Sequence, residues 1–417
     1  MELVYLWVEG YKNIKEQGFN FSPRFECTFH DKYKEDGTLE ENCKLDIKPK
    51  EHIENFFGEN INVTAIVGKN GSGKSGIFEA LINQEKIIYV IACNENRFKY
   101  YSKTKLECKY SQCEWINNID FFKSNFNLQY LNISPLENKI EQAEINYLGT
   151  AIKGYTAEYF DKFLQMIKDK NTTDEFHSLF KKFNLLKLDE MSGLSSGEKV
   201  LFYYLSSILY IVGQYKDDYN IIFIDEIELF MHPTWQKRTL NIFLEVLEES
   251  QLSTKLHLII ATHSPFLLSD LPKENVIFLD TYDKEKTEKD YPKLETKTKE
   301  LEDGACINVS EHIKINPFGA NIHTLLSDGF FMEDGLMGEF AKGKINDVYD
   351  YISNPNSKTN LTQIEAKEVI NLIGEPILKK ELQYLYYEKF ETSEIDKKIR
   401  EHQEEIERLQ AQRRKND

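Results

Sequence analysis

The stretch INVTAIVGKNGSGKSGIFEALIN, residues 61–83, restricts the fold more than any other part of the chain. Ile61–Val67 is a run of apolar, mostly β-branched residues, as in a strand buried on both faces inside a parallel sheet. It runs straight into a glycine-rich loop and then a helix. Gly68, Gly73, Lys74 and Ser75 satisfy G-x-x-x-x-G-K-[ST], with the strand before and the helix after that the motif requires. Backbone N–H groups of Asn70, Gly71, Ser72 and Gly73 then curl around phosphate oxygens, and the helix N-terminus adds its dipole. Lys74 is expected to reach the β- and γ-phosphates and the Ser75 hydroxyl to hold magnesium, making ATP and Mg2+ the expected ligands. The fold this implies is α/β.

Two further strand ends fit the same chemistry. IIFIDE, 221–226, is a second buried strand, ending in two acids. Asp225 is expected to hold the magnesium ion, and Glu226 to orient or polarise the attacking water. LIIATHSP, 258–265, is a third, with His263 at its end, where ligands gather in open parallel sheets. His263 is expected to donate to the γ-phosphate; the plainer alternative is a satisfied core histidine. A fourth segment, LSSGEKVL at 194–201, offers Ser195, Ser196 and Gly197 at the start of an apolar helix, an anion site by the same logic. A chain with one complete phosphate cradle has use for a second donor set if it covers the phosphate of another copy.

The order of these segments resembles the ABC ATPase superfamily: P-loop, signature loop, Walker B strand, switch histidine. The resemblance implies a P-loop fold with a mixed sheet, an N-terminal antiparallel β subdomain and a helical signature lobe at about 136–215. It also implies ATP hydrolysis, with Lys74, Glu226 and His263 as catalytic residues. In that superfamily two nucleotide domains face head to tail, so Ser195 and Gly197 would act on a partner's ATP. Ser196 stands where the family has Gly and Glu198 where it has Gln. Gln129 is the candidate for the family's Q-loop glutamine; Gln112 and Gln142 lie in the same interval, and no flanking motif selects among the three.

The branch is indicated by DEIELFMHPTWQK. Glu228, Leu229, His232, Pro233, Trp235 and Gln236 resemble the E-x-x-LHP-x-WQ pattern of RecF-like and OLD-like ATPases, with Met231 replacing Leu. Tyr11, Lys12 and Asn13 match the opening strand pair of that branch. Transport ATPases have a Leu-Asp loop there instead, and the interval from Ser75 to Leu194 is too short for the coiled-coil arms of SMC-like ATPases. NPFGANIHTLLSDGFFMEDGLMGEFAKGKI, 316–345, and the following INLIGEPILKKEL resemble the ATPase subunit of Septu and Septu-linked retron anti-phage systems. That resemblance implies a homodimer or higher homo-oligomer that senses and regulates a separate HNH-type nuclease. The alternative is a RecF-like DNA-repair clamp gated by ATP.

Composition narrows the partners. With 52 basic and 69 acidic residues the net charge is −17, which disfavours non-specific coating of nucleic acid but leaves room for a local basic groove. The six cysteines form no dense framework, and Cys108 and Cys113 lack the second pair a zinc finger needs; reduced cytosolic thiols are expected. The most apolar run, Val200–Val212, is too short to span a bilayer, so a cytoplasmic protein without membrane contact is expected. The expected organisation is an ATPase domain over 1–281, a charged loop over 282–304, and a mainly helical docking or oligomerisation lobe over 305–417. Ile395, Ile399, His402, Ile406 and Leu409 form a short heptad stripe at its end, on a helix that packs on its own lobe or on another chain. His312, His323, Asp280 and Asp283 lack the companions of a nuclease centre.

Overall fold

A computed structural model describes residues 2–83, 86–94, 96–110, 112–118, 121, 126–132, 144–147, 150–151, 195–214, 219–249, 254–285, 287–291, 301–326, 337–354, 357–390, 400, 402–406 and 408. The chain divides into two compact units, Met1–Asp334 and Gly335–Asp417.

The first unit is built on sixteen described strands. They are β1 (Glu2–Tyr11), β2 (Ile14–Asn20), β3 (Phe25–His30), β4 (Lys44–Pro49), β5 (Ile61–Gly68), β6 (Ile87–Asn94), β7 (Arg97–Tyr101), β8 (Glu107–Cys108), β9 (Cys113–Ile116), β10 (Phe126–Asn132), β11 (Glu144–Tyr147), β12 (Thr150–Ala151), β13 (Tyr219–Asp225), β14 (Leu256–Thr262), β15 (Val276–Thr281) and β16 (Cys306–Asn308). Thirteen form one sheet in the order β12-β11-β10-β13-β14-β5-β15-β16-β2-β1-β6-β7-β9, and β3-β4-β8 form a second. The centre, β10-β13-β14-β5-β15, is parallel. Mainly antiparallel pairings flank it, including β1 with β2 and β6. The fold is therefore α/β with a large mixed sheet, as the strand–loop–helix motif predicts.

The central strands are mostly apolar on both sides because both faces are covered. Helices α1 (Lys74–Asn83), α2 (Ser196–Gln214), α3 (Pro233–Glu249) and α4 (Pro265–Ser269) do the covering. Val63, Ala65 and Val67 of β5 join Ile222 and Ile224 of β13 and Leu258 and Ile260 of β14 on the α2–α3 side. Ile66, Ile221, Phe223, Ile259 and Ala261 point the other way, against Ile77, Phe78 and Leu81 of α1. Full burial of such side chains contributes about 1.5–3 kcal/mol each, which fixes strand register around the loop. A third cluster seals the β3-β4-β8 layer, with Trp7 edge-on to Phe29 at 4.8 Å and Phe25 to Phe98 at 4.9 Å.

Register aligns the site. Asn132 of β10 pairs with Asp225 of β13, Asp225 with Ala261 of β14, and Ala261 with Ile66 of β5. The carboxyl ends of these strands therefore lie along one sheet edge, where Gly68, Glu226 and His263 emerge.

Some expectations need correction or fall outside the described residues. Helix was expected from residue 136, yet Glu144–Tyr147 and Thr150–Ala151 are strands. The antiparallel partner β10 decides this: Gln129 opposes Tyr147 and Asn132 opposes Glu144. Of the signature lobe, residues 152–194 lie outside the described residues, including Leu194. Segment 305–334 was assigned to the C-terminal lobe, but the division falls after Asp334. The physical reason is that Cys306–Asn308 pairs with β15 and Ala305, Ile307, Val309, Ile313 and Leu325 sit in the first unit's core.

The second unit is helical: α5 (Glu339–Ser353), α6 (Gln363–Leu372) and α7 (Pro376–Phe390), around Val348, Ile352, Ala366, Ile370, Leu382 and Tyr386. Thr362 and Glu365 form a capping box that starts α6. Of the heptad stripe, Ile395, Ile399 and Leu409 lie outside the described residues, and Ile406 is exposed.

Candidate functional site

The glycine-rich loop has the backbone its motif demands. Gly71 (φ 79°) and Gly73 (φ 101°) occupy the left-handed region that strains any other residue. Gly68 is required for a different reason: a Cβ there would stand 2.4 Å from the Leu279 carbonyl oxygen and 2.6 Å from Ser72 Oγ. Asn13 Nδ2 donates to the Gly71 carbonyl at 2.8 Å, tying the turn between β1 and β2 to the loop. Lys69 Nζ pairs with Asp280 Oδ1 at 3.3 Å on its other flank. Asn70 and Gly71 are exposed at the tip, while Ser72 is buried and its hydroxyl has no protein partner.

Lys74 is buried at the start of α1, and its ammonium donates to the carbonyls of Gly68 (2.9 Å) and Lys69 (3.0 Å). Burial lowers its pKa, and the carboxylates of Asp225, Glu226 and Glu228 oppose that shift. Ser75 Oγ donates to Asp225 Oδ2 at 2.7 Å, so the two expected magnesium-holding side chains meet across 150 residues of sequence. The Tyr130 hydroxyl donates to the same oxygen at 2.9 Å, and that of Tyr204 to the Asp225 carbonyl at 3.3 Å. Glu226 follows with φ 50°, uncommon for a residue with a side chain; its N–H donates to the Ala261 carbonyl at 2.9 Å.

His263 leaves β14 beside this cluster. Burial, and after it the Lys74 charge, hold its imidazole below the ordinary histidine range, against the pull of Asp225. The neutral imidazole is thereby favoured, and its buried Nε2 has no hydrogen-bond partner. Glu228 accepts from the His263 backbone N–H and, at 2.8 Å, from the Thr262 hydroxyl. Ser264 caps α4 and donates to Gln236 Oε1 at 2.9 Å, while Gln236 Nε2 donates to the Met231 carbonyl at 3.0 Å.

The structure thus brings Gly68–Ser75, Asp225, Glu226 and His263 to one edge. It does not bring Gln129 there. Gln129 is buried within β10 opposite Ile222, three residues short of the Asp225 row, because its strand runs on to Asn132. Tyr130 reaches the site instead. Ser195 is exposed and Gly197 buried: a Cβ on Gly197 would meet the Phe230 carbonyl at 3.0 Å and Met231 Cα at 3.3 Å. Ser196 begins α2. Sequence reasoning missed Tyr130, Tyr204 and Asn13 as contributors. The signal available was the strand phase that carries Tyr130 to the α1 side of the sheet.

Cys108, Cys113 and the other four cysteines are free thiols. Among the described residues no three His, Cys, Asp or Glu are grouped to hold a metal ion, and no helix is long and apolar enough to cross a membrane.

Residues 114–269 match the family model "AAA domain, putative AbiEii toxin, Type IV TA system". The match takes in Asp225, Glu226 and His263. No curated protein matches the chain. Among solved structures, the SMC head domain from Thermotoga maritima is 14% identical, covering 74% of this chain and 98% of its own, with a TM-score of 0.32. The cbiO1 protein of Clostridium perfringens, part of the ABC transporter complex cbiONQ, is also 14% identical, covering 66% of this chain and 84% of its own, with a TM-score of 0.29. The family match is to an AAA domain and begins after Gly68–Ser75, and the geometry of Gly68–Ser75 with Asp225 is that of a P-loop nucleotide site.

Proposed function

We propose that this chain binds ATP with magnesium at Gly68–Ser75 and hydrolyses it. It does so as a head-to-tail pair in which Ser195 and Gly197 of one copy cover the γ-phosphate held by the other. The observation that carries the catalytic reading is the 2.7 Å hydrogen bond from Ser75 to Asp225. It joins the phosphate loop to the acidic strand end with Lys74, Glu226 and His263 around it. The unpartnered Ser72 hydroxyl and His263 Nε2 are polar atoms that phosphate oxygens would satisfy.

Ser75 and Asp225 would hold magnesium, which supplies positive charge against the β- and γ-phosphates. Lys74, held by two carbonyl oxygens, transfers its N–H donors to phosphate oxygens when nucleotide enters. Glu226 accepts a hydrogen bond from the attacking water and orients it, and neutral His263 donates Nε2–H to the γ-phosphate. Exclusion of water by the second copy strengthens each of these interactions.

The regulatory reading is that ATP-driven association of two copies governs a separate HNH-type nuclease in anti-phage defence. It is supported by the resemblance of residues 316–345 and the following INLIGEPILKKEL to Septu ATPase subunits, and by that of the HPTWQ segment to RecF-like and OLD-like ATPases. Glu226→Gln is expected to keep ATP binding, to lower kcat by about 10²–10⁴-fold, and to accumulate as an ATP-bound dimer by light scattering. Unchanged turnover would remove Glu226 from the base role. ATP-dependent DNA binding by the chain alone, with a steep salt dependence, would favour a DNA clamp over the nuclease regulator.

A further inference from the structure

Glu228 stands three residues past Asp225 and touches neither the phosphate loop nor the magnesium-holding pair in any hydrogen bond seen. Both of its carboxylate oxygens are committed elsewhere. Oε1 accepts from the His263 backbone N–H, and Oε2 accepts from the Thr262 hydroxyl at 2.8 Å. Thr262 Oγ1 in turn accepts from the Ser264 N–H at 2.9 Å. One side chain thus organises three consecutive residues at the point where β14 ends and His263 must leave the sheet. Without it, the His263 N–H has no strand partner to bind, since β14 pairing stops at Thr262.

From this geometry we infer that Glu228 is a positioning residue: it fixes where His263 presents its imidazole and takes no part in the chemistry itself. The inference rests on the reading that His263 meets the γ-phosphate. The carboxylate suits the task because two diverging donors need two acceptor oxygens, which a carboxylate supplies and other side chains of this length do not. Its partial burial is tolerated for the same reason: loss of solvent pushes the carboxyl up, and the two hydrogen bonds pull it back toward the ionised form. Gln236 closes the arrangement from behind, holding Ser264 Oγ while its own amide is fixed on the Met231 carbonyl. The next residue of the loop is therefore held at both ends, and His263 is the only one of the three whose side chain is left to face the site.

Glu228→Ala and Glu228→Gln separate positioning from chemistry. Alanine leaves the His263 N–H unpaired. Glutamine keeps one acceptor for it, and the Thr262 hydroxyl turns round to accept from the new amide. Amide hydrogen exchange at His263, measured on the nucleotide-free full chain, is expected to speed up by at least about tenfold in Glu228→Ala and to stay near the parent rate in Glu228→Gln. In steady-state ATPase assays kcat should fall by about 10- to 100-fold in Glu228→Ala, with KM for ATP within about threefold, and recover to within about threefold in Glu228→Gln.

Parent-like exchange and kcat in a folded Glu228→Ala would overturn the inference. So would a Glu228→Gln that loses activity while keeping His263 protected, since the carboxylate charge would then act on the reaction directly. If Glu228→Ala does not fold, Glu228→Gln decides alone: loss of His263 protection there overturns it. An unmutated chain that does not hydrolyse ATP would refute the proposed function, while the exchange comparison would still read the positioning.

Discussion

Acid should destabilise this protein through one histidine that has no part in the site. His257 lies in β14, wholly buried, between Ile221 of β13 and Asn62 of β5. Its Nε2 is 2.8 Å from Thr64 Oγ1, whose single hydrogen is given to the Phe21 carbonyl at 2.9 Å. Asn62 Nδ2 stands 3.4 Å from the same nitrogen, and Nδ1 is buried without a partner. Protonating the ring would place an unpaired charge in the sheet, so burial lowers the pKa from 6.5 to about 3. The folded value lies below the unfolded one. The stability is thus present in full above about pH 6.5 and is lost as pH falls through the window toward 3. At about 1.4 kcal/mol per unit, pH 5 costs about 2 kcal/mol relative to pH 7. His257→Leu removes the titration and the orphaned Nδ1, and it leaves Thr64 bonded to Phe21. Urea midpoints of both proteins from pH 7 to pH 5 isolate the term from the carboxylates they share. The parent should lose about 2 kcal/mol more than the variant over that range. Parallel curves would refute the assignment of a neutral, buried His257.

Two further substitutions probe the site. Gly68→Ala forces a Cβ to within 2.4 Å of the Leu279 carbonyl and toward Ser72, so the loop must move. A loss of about 1–3 kcal/mol in stability and at least about tenfold in affinity for a fluorescent ATP analogue is expected, by thermal unfolding and titration. Tyr130→Phe removes the 2.9 Å donor to Asp225 Oδ2 and leaves the Ser75 hydroxyl on the same oxygen. The magnesium concentration for half-maximal ATPase should rise about tenfold, with KM for ATP at saturating magnesium unchanged.

The centre of the fold could be read from the sequence because it is written in local patterns. Ile61–Gly68, Tyr219–Asp225 and Leu256–Thr262 are mostly apolar, with Asn62, Thr64, Asn220 and His257 as interior exceptions, and each ends at a residue with a chemical task. The strand–loop–helix grammar of Gly68–Ser75 needs no tertiary information. What could not be read depends on partners distant in the chain. Glu144–Tyr147 is a strand only because β10 lies beside it. Cys306–Asn308 is three residues long and gains its place by completing the sheet between β15 and β2. Gln129 was a candidate because glutamine is the residue type the resemblance asks for. Strand register decides otherwise: one residue further, Tyr130 points to the opposite face and touches Asp225.

The HPTWQ segment has a physical reason in the course of the chain around it. Pro233 starts α3 at the position where its missing N–H costs nothing. His232 Nδ1 accepts from the Thr234 N–H at 3.2 Å, which satisfies one of the helix's open donors. Gln236 is then one turn in, where its amide spans from the Met231 carbonyl to Ser264. Met231 also lies against Gly197, whose missing Cβ lets the start of α2 approach the Phe230 and Met231 backbone. Phe230 itself has φ 62°, a conformation a bulky residue adopts only where its surroundings impose it. The tight course of residues 226–232 follows from these constraints together. It must leave β13 at Glu226, return Glu228 to the end of β14, and clear Gly197 before α3 begins. Glu228 and Gln236 are therefore the side chains by which this turn holds the His263 and Ser264 backbone and hydroxyl groups.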